Sequence, residues 1–245
     1  MKDIFKEIDD LQNEINSFRP LNKDLLNLIK EYYRIGLTYS SNALEGNSLT
    51  ESETKIILEE GITIGGKPLK DHLEAIGHSD AYNYMLTLSD KEDITEKEIK
   101  YLHKLIYYRI DNQNAGTYRK NKAIITGSKY SLPKPEQIKD LIDQFTANVS
   151  KILKKKHPVE AAAILHKDFV FIHPFIDGNG RTARLLMNLI LLQKGYNIAI
   201  IPLVTRREYI EYLEKAHTSD KDFIHFIARM IRETQKDYLR LFMKN

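Results

Sequence analysis

The chain has 245 residues, 42% hydrophobic and 29% charged, which is an ordinary composition for a globular protein that buries a core. Its net charge of +3, from 37 basic and 34 acidic residues, is too balanced to indicate a nucleic-acid-binding protein. The absence of cysteine excludes a disulfide framework and thiolate chemistry. Because the sequence has neither an apolar run of membrane-span length nor a secretory signal pattern, we expect a cytoplasmic protein without membrane contacts.

Hydrophobic periodicity predicts helices along most of the chain. Residues 3–18 carry apolar side chains three and four apart, and a second helical pattern covers residues 22–44 and ends before Gly46. Thr50 and Glu53 have the spacing of a capping box at the start of a third helix. Further helical patterns occupy residues 69–88, 95–110, 136–153, 158–172 and 181–194, with two more helices between about 206 and 243.

One stretch has the pattern of strands instead. Residues 123–126 and 129–132 flank Gly127-Ser128, which predicts a β-hairpin over about residues 122–132. An isolated hairpin is only marginally stable. It is therefore either a surface hairpin packed on helices or a flap that covers a bound molecule. The predicted fold class is all-α, a helical domain around a central buried helix at about 181–194 with one β-hairpin.

The most informative stretch is His173–Arg184, which leads into that central helix. The apolar run at 185–192 continues it as a helix that is hydrophobic nearly all round, and therefore buried. A helix N-terminus presents unpaired N–H groups and a partial positive charge, which favour a bound phosphate. Gly178 and Gly180 would let the backbone approach such a ligand closely.

Polar side chains in this stretch suit the chemistry of phosphate groups. The His173 imidazole, with an ordinary pKa of ~6.5, can accept a hydroxyl proton near neutral pH. Asp177 is a hard oxygen ligand for Mg²⁺, and Asn179 can donate its amide N–H to a phosphate oxygen. Arg181 and Arg184 lie on one helix face, where two guanidinium groups suit adjacent phosphates. A loop that only caps a helix would explain Asp177 and Asn179 individually, but not all of these residues together.

The stretch matches every fixed position of HPFxxGNGRxxR and so resembles the signature of the Fic family. The resemblance covers residues 95–230 as the Fic core, between an N-terminal helical region (1–94) and a C-terminal helix extension (231–245). Residues 41–47 resemble the family's inhibitory motif, [S/T]xxxE[G/N], through Ser41 and Glu45. The chain is thus similar to the subclass with an N-terminal inhibitory helix.

The resemblance implies a Mg²⁺-dependent enzyme that transfers AMP from ATP to Ser, Thr or Tyr hydroxyls of a protein target, or of itself. His173 would be the general base, and Asp177 would bind the metal ion. The residues implied to contact ATP are Gly178, Asn179, Gly180, Arg181, Arg184, Thr126, Gly127, Tyr209 and His217. Thr126 and Gly127 would lie in a flap that aligns the target segment by strand pairing. Because Ile210 and His217 stand where a close relative has Tyr and Asn, the nucleotide preference stays open.

The resemblance also implies that Glu45 inhibits the enzyme. Paired with Arg184, it would withdraw the guanidinium that holds the γ-phosphate, so that ATP binds in a non-productive pose. In related enzymes the same glutamate also positions a water that removes AMP. The alternatives are a Fic enzyme that transfers another phosphate-containing group, and a nucleotide-binding regulator without transfer activity. Residues 66–69 resemble a dimer contact of relatives, so they form either a homodimer interface or simply a loop before a helix.

Overall fold

The computed structural model describes residues 2–243 and confirms the predicted all-α fold class. The helices are α1 (Lys2–Ser17), α2 (Lys23–Ala43), α3 (Glu51–Glu60), α4 (Leu69–Thr87), α5 (Glu96–Tyr107), α6 (Ile138–Lys155), α7 (Pro158–Ile172), α8 (Asn179–Gln193), α9 (Arg206–Lys215) and α10 (Lys221–Met243). Each lies where the hydrophobic pattern predicts it. Within residues 2–243, no helix combines the length and the hydrophobicity that a membrane span requires.

Helix α8 lies at the centre of the molecule because its apolar side chains cover its whole circumference. Helices α2, α4, α5 and α7 pack around it. The main hydrophobic cluster extends from Ile4 in α1 to Leu239 in α10, so it crosses the boundaries predicted at residues 94 and 230. Residue 230 lies inside α10, which packs on α1 and α7. The predicted extension at 231–245 therefore contributes to this core as far as Leu239, and residues 244 and 245 lie outside the described residues.

A glycine brings α4 against α5. A Cβ at Gly77 would approach the carbonyl oxygens of Leu105 and Ile106 to 2.7 Å, which is too close for any side chain. Both helices also contact α8. The close packing therefore places Glu74 of α4 and His103 of α5 beside the start of the central helix.

The predicted β-hairpin at residues 122–132 is wrong. The segment contains a turn, in which the Ser128 N–H donates to the Ile125 carbonyl at 3.1 Å, but its arms do not pair and no strand occurs in residues 2–243. The Ile124 side chain is 91% exposed, and Tyr130 stacks on His217 rather than on the opposite arm. Without a third strand or a continuous buried face, two short arms gain too little to form a sheet. We call residues 122–132 the flap loop.

Three histidines are fully buried in the core: His78, His103 and His166. Burial lowers the pKa of His103 from its ordinary 6.5 to about 4, and those of His78 and His166 to about 3. The His103 Nδ1 accepts the Gly116 N–H at 2.9 Å, so its Nε2–H donates to the Asp177 carbonyl at 2.9 Å. The neutral ring therefore links α5 to the loop before α8, and protonation would break one of the two bonds.

The free energy of unfolding should consequently fall as the pH drops from 7 to 4.5. These histidines have folded pKa values below the unfolded value, so their contribution is complete above about pH 6.5 and is lost toward pH 4. His103→Gln keeps a donor and an acceptor but does not titrate. Urea unfolding measured at several pH values in this interval should show that the free energy of unfolding of the variant depends less steeply on pH, by up to about 1.4 kcal/mol per pH unit. Equal slopes for the two proteins would contradict a buried neutral His103.

Candidate functional site

The loop of residues 173–178 turns the chain from α7 into α8. His173 ends α7 in the left-handed conformation, with φ 48°, and Gly178 precedes α8 with φ 76°. Within residues 2–243, His173 is the only residue other than glycine with a positive φ. A strained backbone of this kind persists only where surrounding contacts hold it, and such positions cluster at functional sites.

Two side chains hold this loop from the inside. Phe175 is fully buried and stacks on His103, with ring centroids 3.7 Å apart. The Asn179 amide accepts the Phe175 N–H and donates to the Phe175 carbonyl, both at 2.9 Å. The amide therefore closes the loop with its oxygen and one N–H, and the predicted donation of its second N–H to a phosphate stays a prediction.

Asp177 is the exposed acid of the loop. Its Oδ1 accepts the Gly178 N–H at 2.6 Å and lies 3.5 Å from Nη2 of Arg181, while the side chain is 45% exposed. Within the described residues, no group of three or more His, Asp or Glu side chains forms a metal site. The carboxylate can therefore take a further ligand from solvent, but as a single protein ligand.

Arg181 is enclosed by partners from α2 and α4. The residue is 1% exposed, and its Nη1 lies 2.9 Å from Oε1 of the buried Glu74. The other Glu74 oxygen accepts the side-chain N–H of Asn47, the last residue of the inhibitory motif, at 2.9 Å. Sequence reasoning missed Glu74. Its signal is a carboxylate on the buried face of α4, since buried acids are nearly always paired.

Arg184 of α8 binds both predicted inhibitory residues, Ser41 and Glu45. Its Nη2 donates to Oε1 of Glu45 at 2.7 Å and to the Ser41 carbonyl at 2.8 Å, and its Nε donates to the Ser41 hydroxyl at 2.9 Å. Burial opposes the charge on Glu45, but the Arg184 guanidinium outweighs it, so the pKa of the carboxyl lies below its ordinary value. Glu45 is therefore an ionised partner of a buried arginine.

The Glu45 carboxylate lies directly over the first turn of α8. A Cβ at Gly180, the second residue of that helix, would overlap Oε1 of Glu45. The helix N-terminus and the two arginines make this position favourable for an anion. The chain's own carboxylate thus occupies the place that the sequence predicts for phosphate.

Tyr209 reaches the same arginine from α9. Its hydroxyl accepts from Nη1 of Arg184 at 3.5 Å and donates to Nε2 of His166 at 3.1 Å. The residue is buried, with its ring among the aromatic side chains of Phe223 and Phe226. It does not present the open ring face that a nucleobase would stack on.

The other predicted ATP contacts have different partners. His217 stacks between Phe171 and Tyr130, with ring centroids 3.6 and 3.8 Å away. Thr126 and Gly127 are exposed in the flap loop. Within the part of the chain that the structure describes, no hydrogen bond or ring contact joins these three predicted residues to His173–Arg184.

His173 is partly buried and carries a perturbed pKa. Burial and the nearby Arg119 charge lower the pKa of the imidazole, against the Val170 carbonyl, Glu45 and Asp177, which raise it. The neutral form that can accept a proton is therefore favoured at neutral pH. Arg119 had no role assigned from the sequence, yet its Nε donates to the His173 carbonyl at 2.8 Å.

Comparison with known sequences matches the Fic/DOC family to residues 93–191. A protein adenylyltransferase Fic from Nematostella vectensis is 36% identical over 242 residues, covering 97% of this chain and 56% of that protein. Another, from Drosophila erecta, is 35% identical over 237 residues, covering 96% and 47%. The chain thus spans about half the length of the curated relatives it matches.

Solved structures agree with this result. Fic-1 from C. elegans has a TM-score of 0.89 at 30% identity, covering 99% of this chain and 73% of that chain. A Fic domain containing signaling protein from Bacteroides thetaiotaomicron has a TM-score of 0.82 at 28% identity, covering 94% and 95%. In sequence and in fold, the chain belongs to the Fic/DOC family.

Proposed function

We propose that the protein transfers AMP from ATP to hydroxyl groups of protein side chains and that Glu45 holds it in an inhibited state. One observation carries the proposal: the Glu45 carboxylate lies over Gly180, at the anion-binding end of α8, paired with Arg184. The relatives named protein adenylyltransferase Fic support the same reaction.

In the proposed reaction, the hydroxyl oxygen of the target attacks the α-phosphorus of ATP. The bond between this phosphorus and the bridging oxygen breaks, and pyrophosphate leaves. His173 takes the hydroxyl proton, since its lowered pKa keeps the ring neutral. Main-chain N–H groups at the start of α8, with Arg181 and Arg184, offset the charge on the phosphates.

Inhibition follows from where Glu45 lies rather than from a movement of Arg184. Ser41 and Tyr209 hold the guanidinium of Arg184 through neutral acceptors, and the residue is only 2% exposed. Arg184 therefore stays in place when Glu45 leaves, and its Nη2 becomes available to a phosphate oxygen. This differs from the withdrawal of the guanidinium that the sequence suggests.

Glu45→Gly should raise self-labelling from α-³²P-ATP by about tenfold or more, which corresponds to ~1.4 kcal/mol released from the inhibitory contact. Glu45→Gln keeps the size but not the charge and should fall between wild type and Glu45→Gly. Equal labelling of wild type and Glu45→Gly would refute inhibition by Glu45.

The same assay identifies the transferred group and the nucleotide. Label from γ-³²P-ATP would indicate transfer of the terminal phosphate instead of AMP. Competition by GTP as strong as by ATP would refute the preference for adenine.

His173→Ala, introduced into the Glu45→Gly protein, should reduce labelling by about 100-fold or more, because the hydroxyl loses its proton acceptor. Binding of ATP, measured by calorimetry, should persist because the phosphate contacts remain. Transfer that survives this substitution would show that His173 is not the base.

Asp177 fits a Mg²⁺ ion that arrives with the nucleotide. A single exposed carboxylate suits this ion, which keeps water and phosphate oxygens as its other ligands. When bound there, the ion would offset the charge of the phosphates. In the Glu45→Gly protein, Asp177→Asn should raise the Mg²⁺ concentration needed for half-maximal labelling by about tenfold. Asp90→Asn, at an exposed position, is the control; an unchanged Mg²⁺ requirement in Asp177→Asn would rule out this ligand.

The remaining predictions concern partners and location. The homodimer contact at residues 66–69 stays a prediction, in a segment where Leu69 is 67% exposed. The nucleobase site at Tyr209 and His217 stays a prediction, because Tyr209 is buried here and His217 stacks on two other rings. The cytoplasmic location and the identity of the target protein likewise stay open to experiment.

A further inference from the structure

Arg119 is a buried cation whose partners are all main-chain carbonyl groups. Its Nε donates to His173 at 2.8 Å, its Nη1 to Asn121 at 3.0 Å and its Nη2 to Pro133 at 2.6 Å. The residue is 5% exposed, and no carboxylate of the described chain pairs with it. Because buried charges are rarely left without a counter-charge, this arrangement calls for a specific reason.

The three carbonyls belong to two segments, the loop before α8 and the ends of the flap loop. His173 has the strained left-handed backbone, while Asn121 and Pro133 lie immediately before and after the flap loop. The Arg119 N–H also donates to the Pro174 carbonyl at 2.9 Å. One planar guanidinium with donors in fixed directions therefore connects the loop before α8 to both ends of the flap loop.

We propose that Arg119 is a positioning residue that holds His173 in its left-handed conformation and fastens the flap loop to the loop before α8. The role of His173 as the base rests on the function proposed above. The direction of a side chain follows from its backbone dihedral angles. Relaxation of His173 to an ordinary φ would therefore turn the imidazole away from its present position.

Arg119 also acts on His173 through its charge. Its positive charge lowers the pKa of the imidazole alongside burial, while Glu45 and Asp177 face the ring as anions and raise it. Geometry and charge are thus two separable contributions. A lysine keeps the charge but has no planar fork to reach three carbonyls, whereas a glutamine lacks both.

The test compares Arg119→Lys and Arg119→Gln in the Glu45→Gly protein. Both should label about tenfold more slowly at saturating ATP, because the base is misplaced, while the KM for ATP changes less than about threefold. Arg119→Gln should move the acid limb of the pH–rate profile upward by about 0.5 pH unit or more, and further than Arg119→Lys does. The sign follows because losing the cation raises the His173 pKa, so the base becomes protonated at a higher pH.

Two measurements do not depend on activity. The ¹³C-edited NMR titration of His173 should shift in the same direction, and by more in Arg119→Gln than in Arg119→Lys. Trypsin should cut the exposed flap loop at Lys122 and Lys129 several-fold faster in both variants, about threefold or more, because its ends are released. Arg109→Gln, which removes an arginine paired with Asp80 at 2.7 Å, should match the parent in every assay.

The proposal fails if Arg119→Lys labels at the parental rate and Arg119→Gln leaves the His173 titration unchanged. If neither variant folds, hydrogen exchange of the Arg119 Nε–H in the wild-type protein tests the proposal. Slow hydrogen exchange supports the proposal, whereas exchange as fast as that of the exposed Arg240 overturns it. An inactive Glu45→Gly parent would count against the proposed function alone, since the titration and the trypsin comparison still report on Arg119.

Discussion

The structure depends on keeping two guanidinium groups at the N-terminal end of a buried helix. Both arginines of α8 are almost completely enclosed, and taking such charges out of water is costly unless each is paired and hydrogen-bonded. The partners come from helices far apart in the sequence: Glu74 from α4, Ser41 from α2 and Tyr209 from α9. These helices therefore also have to pack around α8 to supply partners for its buried charges, because loss of one such partner typically costs about 3–5 kcal/mol.

The two arginines differ in how permanent their pairing is. The Glu74 side chain is 7% exposed and also accepts from Asn47, so its ion pair with Arg181 is buried. The Glu45 side chain is 40% exposed, and it is the only acid paired with Arg184 among the described residues. An incoming anion can therefore replace Glu45 without unpacking the core. The Glu74–Arg181 pair is thus part of the buried core, whereas Glu45 in the Glu45–Arg184 pair can be exchanged for another anion.

Local patterns in the sequence were sufficient for the helices, because each buries an apolar stripe with a period that residue order reveals. They failed for the flap loop, where the alternation of a strand is present but no neighbour exists to pair with it. They also missed Glu74 and Arg119. Glu74 binds Arg181 and Arg119 binds the His173 carbonyl, both far along the chain, and such contacts leave no local period. The sequence points to Asn179 as part of the site, but the two bonds of its amide to Phe175 cannot be predicted from local residue order.

Gly180 has a consequence for how nucleotide affinity would be measured. Because this residue lacks a side chain, the Glu45 carboxylate and a phosphate would lie in the same place, and only one can be present at a time. The measured dissociation constant is then the intrinsic value divided by the fraction of molecules in which Glu45 is away. If that fraction is ~1%, binding is weakened about 100-fold with every phosphate contact intact. Any event elsewhere in the protein that frees the loop after α2 would register as tighter nucleotide binding, with no change in the residues that touch the nucleotide.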